Sequence, residues 1–439
     1  MNKFFDFIRL IVAFPRGHRI FLRPEYDRLF GKFRHLARFY RRTALQRTRL
    51  ITVIGSLGKS STHRAIMAAL NCPERNFSFS NYGMSLAENL LKVRPWDRFA
   101  ALEVGISGPS GMASYAHMIK PDVVVVTSIS SEHFRLLPTL EDTRAEKVKM
   151  VSSLSSTGIA ILNGDDSHVR WMASQTKARI VTYGFGPANE VRATDVSHDQ
   201  SSTSFNLHLN GSVHPVKSCL LGHHMVYPVL AAVAVAHVER GEIAAAINRL
   251  AALTPMPMRM ERISLPSGVD ILDDSFKSSI ETVKSAFATM AQHSAGRKIV
   301  VLGDTGSPDG NDRDIYRELG ADLAKFADLV ICIGSNSMQS VRSSGVNAGM
   351  TRAQFVLAGS RISPARQFLQ EHLRPGDLVL FKGSDRQRFQ RLVLDLQGHP
   401  VSCGIKFCRV KVDTCAKCPL LNAPASRFDN PLISRFVDR

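Results

Sequence analysis

Leu50-Ile51-Thr52-Val53-Ile54 runs directly into Gly55-Ser56-Leu57-Gly58-Lys59-Ser60, and this junction decides the fold. The first five residues are a short apolar, β-branched run of the kind that forms a buried strand. The glycines that follow let backbone N–H groups face outward, and residues 61–70 read as a helix whose N-terminus adds positive dipole. Strand, glycine turn and helix in that order make a phosphate cradle: Gly55, Ser56, Gly58 and Ser61 line it, Lys59 reaches the terminal phosphates, and Ser60 offers a hydroxyl to magnesium. The loop is shorter than the GxxxxGKS/T pattern, so taken alone it also admits a glycine-rich helix start. Its place directly after a buried strand favours the cradle.

Working outward, similar strand runs recur at residues 99–104, 122–128, 159–162, 298–302, 328–333 and 377–381, with helical patterns at 140–154, 227–240 and 278–290. Strands alternating with helices predict an α/β protein whose sheets are largely parallel and covered by helices on both faces. Thr254-Pro255-Met256-Pro257-Met258 interrupts the alternation with a proline-rich connection, which separates two sheets. Residues 189–219, where Phe205, Leu207 and Leu209 alternate, read as a β-hairpin excursion from the first sheet.

At 439 residues, with 44% hydrophobic and 21% charged side chains, the chain exceeds one small core and is neither disordered nor fibrous. No stretch approaches the roughly 20 apolar residues of a membrane-spanning helix, and no small-residue cleavage site follows Phe4–Phe14, so the N-terminus is expected to be retained. Of the net charge of +18, +10 falls in the first fifty residues, where thirteen Lys or Arg face only Asp6, Glu25 and Asp27. Nucleic acid and anionic lipid both attract such a block; Phe4, Phe5, Phe7, Phe14 and Phe21 suit a membrane interface, and a basic helix packed on its own protein is the plain alternative. No nucleic-acid partner is expected. The expected location is cytoplasmic, peripheral at the inner membrane face through residues 1–47.

Seven cysteines divide into two groups. Cys72, Cys219 and Cys332 read as buried small hydrophobes. Cys403, Cys408, Cys415 and Cys418 form a C-x4-C-x6-C-x2-C set that could close a structural zinc site; free thiols and a disulfide pair stay open beside it.

Several further segments fall in a familiar order. GSLGKSS is followed by Leu102-Glu103-Val104-Gly105 with Gly108-Pro109-Ser110-Gly111, then by Thr127-Ser128-Ile129 with His133. Arg144-Ala145-Glu146-Lys147 stands sixteen residues before Asn163 in Ile161-Leu162-Asn163-Gly164-Asp165-Asp166. Arg259-Met260, Ile271-Leu272-Asp273-Asp274-Ser275, Val301-Leu302-Gly303-Asp304 and Lys382-Gly383-Ser384 complete the series. The set, spanning roughly residues 48 to 395, resembles the Mur ligase family, ATP-dependent amide-forming enzymes of cell-envelope synthesis, and within it the D-alanyl-D-alanine-adding branch.

Charge and cysteine spacing set off a basic amphipathic helical segment over 1–47 and a Cys-rich tail over 399–439; between them the resemblance implies a central ATP-binding domain with a P-loop-type parallel sheet over 48–258 and a Rossmann-like α/β domain over 259–398. It implies an acid–amino acid ligase that uses ATP and Mg2+ to join a small-molecule carboxylate to an amine through an acyl phosphate. Glu103 and His133 would ligate magnesium with Ser60; Lys147, preferred to Lys149 on spacing, would be carbamylated and support the metal; Arg259 would stabilise the transferred phosphoryl group on domain closure; Asp274 would meet the ribose. Two signatures depart from the family. GxHNxxN stands here as Gly222-His223-His224-Met225-Val226-Tyr227-Pro228, and DDSYNANP as Asp273-Asp274-Ser275-Phe276-Lys277-Ser278-Ser279-Ile280, which leaves Met225 and Phe276 to hold adenine by apolar packing. Only about fifty residues precede the loop, too few for the family's UDP-sugar domain. A polymer or lipid-linked ligase of the poly-γ-glutamate synthase type, and a non-catalytic nucleotide-binding scaffold, are the alternatives.

Overall fold

The computed structural model describes residues 28–73, 81–106, 108–130, 137–305, 312–410, 414–423 and 437–438. The chain divides into two compact units between Thr254 and Pro255. The basic N-terminal segment lies outside the described residues as far as residue 27; beyond it, α1 (Phe30–Thr43) is helical.

In the first unit, β1 (Arg49–Ile54) leads into α2 (Lys59–Ala69) and α3 (Gly83–Leu91). There follow β2 (Phe99–Glu103), α4 (Gly111–Ile119), β3 (Val123–Val126), α5 (Leu140–Ser152), β4 (Ile159–Asn163), α6 (Ser167–Trp171) and β5 (Arg179–Gly184). Strands β6 (Val191–His198), β7 (Thr203–Leu209) and β8 (Ser212–Ser218) precede α7 (Val226–Val238) and α8 (Ile243–Ala251). They build one eight-stranded sheet in the order β2-β1-β3-β4-β5-β6-β7-β8. It is parallel from β2 to β6 and antiparallel beyond.

Strand alternation builds two cores, one on each face. Val123 and Val125 join Ile51, Val53, Ile66 of α2 and Val229 of α7 on one side. Val124 and Val126 join Leu50, Ile54, Ala37 of α1 and Val151 of α5 on the other. The run Val123–Val126 is therefore apolar throughout because both its faces are covered. Helix α1 is anchored by Arg41, which is buried, donates to Ile119 O at 3.0 Å and pairs with Asp122 at 2.8 Å.

Residues 189–219 do not leave the sheet as a hairpin. The strands β6, β7 and β8 extend it as a meander, because Ala193, Phe205, Leu207, Leu209 and Val216 bury onto the same core as Ile51. Of the three scattered cysteines, only Cys332 is buried. Cys72 is half-buried, and Cys219 is exposed because it takes the outward turn of an alternating run between buried Ser218 and Leu220.

The second unit contains β9 (Glu261–Ser264), β10 (Asp270–Asp274), α9 (Ile280–Gln292), β11 (Arg297–Gly303), α10 (Asp312–Leu323) and β12 (Leu329–Ile333). Next come α11 (Met338–Asn347), β13 (Phe355–Leu357), α12 (Ile362–His372), β14 (Asp377–Lys382) and α13 (Gln390–Leu396). The sheet order is β13-β12-β11-β14-β10-β9, parallel except for edge strand β9. In the tail, β15 (Phe407–Cys408) pairs antiparallel with β16 (Val437–Asp438). Among the described residues no helix is long and apolar enough to cross a membrane.

Candidate active site

From β1 the chain first adds β2 on one side and then returns to add β3 on the other. That reversal opens a crevice at the carboxyl ends of the three strands, where open parallel sheets receive ligands. The glycine loop leaves β1 at this point. Gly55 has φ +134°, and a Cβ there would stand 2.0 Å from Thr127 Oγ1, so only glycine fits. Gly58, exposed at φ +76°, turns the chain into α2.

The loop is tied down from β3. Ser56 N donates to Ser128 O at 2.6 Å, Ser130 N donates to Ser56 Oγ at 2.9 Å, and Thr127 Oγ1 donates to Leu57 O at 2.6 Å. Among the described residues no side chain caps the first turn of α2, and that turn contains no acid. Its N–H groups thus present an uncompensated positive helix end beside the loop, with Ser60 and Ser61 half-buried in the same turn.

Two buried lysines meet this loop. Lys59 Nζ donates to Ser56 O at 2.6 Å, and Lys147 Nζ, arriving from the middle of α5, donates to Gly55 O. Helix α5 is fixed at its start by a capping box between Thr139 and Asp142. Lys149 turns elsewhere and pairs with Glu146 at 2.5 Å. Glu146 also accepts from Ser110 N at 3.0 Å and Met112 N at 2.9 Å, which anchors the Gly108–Gly111 segment at the start of α4.

Glu103 ends β2 in register with Val53, beside the strand that feeds the loop. Its Oε1 accepts from Asn81 Nδ2 at 2.7 Å, which orients the carboxylate. His63, one turn into α2, is 3.0 Å from Ala101 O; burial lowers its pKa against the opposing pull of Glu103, so the ring is neutral. The structure thus brings Gly55, Ser56, Gly58, Lys59, Ser60, Ser61, Glu103 and Lys147 to one edge of one sheet. His133 lies outside the described residues. The oxygen donors Ser60 and Glu103 suit a hard cation such as Mg2+. Among the described residues, no three or more His, Cys, Asp or Glu side chains are arranged as they stand to hold a metal ion.

Arg259 and Asp274 belong to the second unit. Asp274, ending β10, accepts from Lys382 Nζ at 2.6 Å and from Met260 N at 3.2 Å. The Arg259 guanidinium lies 4.2 Å from the centre of the Phe276 ring. Next to Asp274, burial pushes the Asp273 carboxyl up to about 7. Met225, read as an adenine contact, is buried in the first unit's core.

Asn163, Asp165 and Asp166 stood in the sequence series without a role, and in the structure they brace the crevice. Asn163 Nδ2 donates to Thr127 O at 2.8 Å, and Asp166 Oδ2 accepts from Ile129 N at 2.8 Å. Asp165 accepts from Phe185 N, Gly186 N, Asn189 Nδ2 and Tyr227 Oη, all between 2.6 and 3.0 Å. The signal was present: three polar residues within four, placed directly after a buried strand, have backbone donors to satisfy.

Residues 52–236 match the family model for the Mur ligase middle domain, and residues 258–385 match that for the Mur ligase glutamate ligase domain. The UDP-N-acetylmuramoyl-tripeptide–D-alanyl-D-alanine ligase of Bacillus subtilis is 27% identical over 88% of this chain and 83% of its own length. The enzyme of the same name from Escherichia coli is 24% identical over 80% and 77%. MurF from Acinetobacter baumannii shares the fold with a TM-score of 0.74 over 84% of this chain and 80% of its own, at 20% identity. MurF from Thermotoga maritima, solved in complex with ADP, gives 0.72 over 84% and 83%, also at 20% identity. Both domain models match in order and together span most of the sequence, so the chain belongs to the Mur ligase family.

Proposed function

We propose that the chain is an ADP-forming acid–amino acid ligase, which joins a carboxylate to an amine at the expense of ATP in cytoplasmic cell-envelope synthesis. The observation that carries the reading is the meeting of Lys59 and Lys147 at one glycine loop, beside an uncapped helix start and the Glu103 strand end. Groups of the kinds that bind phosphate and metal, drawn from three stretches of chain at the glycine loop with its helix start, at Glu103 and at Lys147, have little use in a scaffold.

In this reading a substrate carboxylate oxygen attacks the γ-phosphorus of ATP, the bond to the ADP oxygen breaks, and an acyl phosphate results. The amine then adds to the acyl carbon, phosphate leaves with the bonding pair, and the amine gives up a proton. Lys59 and the α2 N–H groups hold the β- and γ-phosphates; Ser60 and Glu103, with His133, would hold Mg2+, and Lys147, as its carbamate, would support it. When bound, the ion neutralises charge on the transferred phosphoryl group. Arg259 is assigned to that phosphoryl group as well, and Asp274 to the ribose.

The relatives' names suggest the first substrates to try, a UDP-N-acetylmuramoyl-tripeptide as acid and D-alanyl-D-alanine as amine. Phosphate release from ATP is measured across a panel of acids and amines, with mass spectrometry of the product. An amide formed with stoichiometric ADP supports the reading; ATP binding with no turnover for any pair leaves a scaffold instead.

A second reading, ligation of a lipid-linked or polymer substrate at an anionic membrane face, is favoured by α1. Its outer side exposes Leu36 and Phe39 beside Lys32 and Arg42, apolar side chains interleaved with cations. Salt-sensitive binding to phosphatidylglycerol vesicles, lost in Phe39→Glu, supports it; no binding at low salt removes it.

A further inference from the structure

The tail motif has no part in the ligase chemistry, yet all four of its cysteines gather. Cys403, Cys408, Cys415 and Cys418 line one small cavity together with Arg388 and Arg391. They arrive from different directions. Cys403 N donates to Leu421 O at 2.9 Å, Cys408 N donates to Arg386 O at 2.8 Å, and a short 3-10 turn (Cys415–Lys417) delivers Cys415 and Cys418.

We propose that these four cysteines bind one structural Zn2+ as thiolates, and that the ion holds the C-terminal tail onto α13.

Two observations beyond the motif support this. The first is charge. Arg391 is 2% exposed and, among the described residues, its hydrogen bonds run to the carbonyls of Gln387, Arg388, Cys403 and Ile405 and to Cys403 Sγ at 3.5 Å, with no carboxylate among them. A buried cation without a counter-charge is costly. Zinc bound by four thiolates carries a net charge of about −2, which would set an opposite charge beside the Arg391 guanidinium. The second is the apolar wall of the cavity. Ile405, Val410 and Leu420 are buried and line it together with the four thiols. A closed, water-excluding set of four thiolates is the form that a structural zinc site takes.

Among the described residues no three of these side chains stand as metal ligands, so binding requires the thiols that line the cavity to turn inward as four protons leave. Cysteine side chains rotate about a single torsion, and all seven are free thiols as placed. Soft sulfur donors in a closed fourfold set favour zinc over hard cations.

The test uses the full-length chain, expressed in zinc-supplemented medium, gel-filtered and analysed for zinc, iron and reactive thiols. The expected result is about one zinc per chain, with four thiols that react only after a chelator in denaturant has withdrawn the metal. Cys418→Ser should retain less than about a tenth of the zinc, while Cys219→Ser, whose thiol is exposed outside the cluster, should keep it. The proposal is overturned by wild-type protein without zinc whose tail thiols react freely, by disulfides among the four, or by iron in place of zinc. Because the decisive reading is made on wild-type protein, a variant that fails to fold does not spoil it. The result is independent of whether the chain turns over ATP.

Discussion

Lys147 Nζ donates a hydrogen bond to the carbonyl oxygen of Gly55, joining the middle of α5 to the first residue after β1 across 92 positions of sequence. That contact places a second buried lysine at the loop that Lys59 already lines, in a crevice where the helix end is also positive. Lys59 and the helix end are groups that a triphosphate would meet there, and Lys147 stands at the same loop in place to carry the carbamate.

Lys59→Ala should lower ATP turnover by about a hundredfold or more, the typical cost of removing one preorganised donor to developing charge. The fold should persist, because the hydrogen bond from Lys59 Nζ to Ser56 O is worth only on the order of 1 kcal/mol. Steady-state phosphate release and far-UV circular dichroism check the two halves. Unchanged turnover would remove the phosphate role.

Lys147→Ala and Lys149→Ala should behave as opposites although they lie two residues apart. Lys147 faces the loop and Lys149 pairs with Glu146, so only the first should abolish activity. If a carbamate at Lys147 supports the metal, short carboxylic acids added to the Lys147→Ala variant should restore part of the rate, as rate measurements against acid concentration would show. A fully active Lys147→Ala enzyme would end that assignment.

Gly55→Ala should cost more than Gly58→Ala. At Gly55 the new methyl meets Thr127 Oγ1 at 2.0 Å and Ser128 N at 3.0 Å, whereas at Gly58 nothing lies within 4 Å and only the positive φ is strained. The expected losses are roughly 2–3 kcal/mol and about 1 kcal/mol, read from urea midpoints. ATP affinity should fall with the first, since the loop must shift to admit the methyl.

Asp273 should make stability fall as pH rises. Its carboxyl is pushed up to about 7 by burial, with the neighbouring Glu261 and Asp274 adding to the effect. An unfolded aspartic acid titrates near 3.9. Between about pH 4 and 7 the folded state therefore binds a proton that the unfolded state lacks, so unfolding free energy decreases across that window. Asp273→Asn removes this contribution. The difference in unfolding free energy between variant and wild type should grow in favour of the variant from pH 5 to 8, by an amount on the order of 2 kcal/mol. A difference independent of pH would contradict it.

Much of this was written in the chain. The apolar run Leu50–Ile54 before Gly55 announces strand and loop because both faces of a central parallel strand are covered, and residues 377–381 declare β14 for the same reason. Strand β9 escaped notice because it is a half-buried edge with little apolar pattern, and α3 because its start lacks a capping side chain. The antiparallel extension was underestimated, since turn residues such as Asn210-Gly211 mark a hairpin without showing what the hairpin pairs with next. Lys59, singled out by its place in the glycine loop, and Lys147, singled out through the resemblance, both hydrogen-bond to that loop. Asn81 was not legible, for its contact with Glu103 depends on the fold of a connecting segment and no local pattern encodes it. Asp165 likewise gains its meaning only from partners as distant as Tyr227.

The most direct test of the central claim is a crystal structure of the full-length chain with a non-hydrolysable ATP analogue and Mg2+. The account predicts terminal phosphate oxygens about 3 Å from Lys59 Nζ and from first-turn N–H groups of α2, with the ion about 2.1 Å from oxygens of Ser60 or Glu103. An analogue bound away from this loop, with Lys59 and Lys147 still turned onto Ser56 O and Gly55 O, would contradict it.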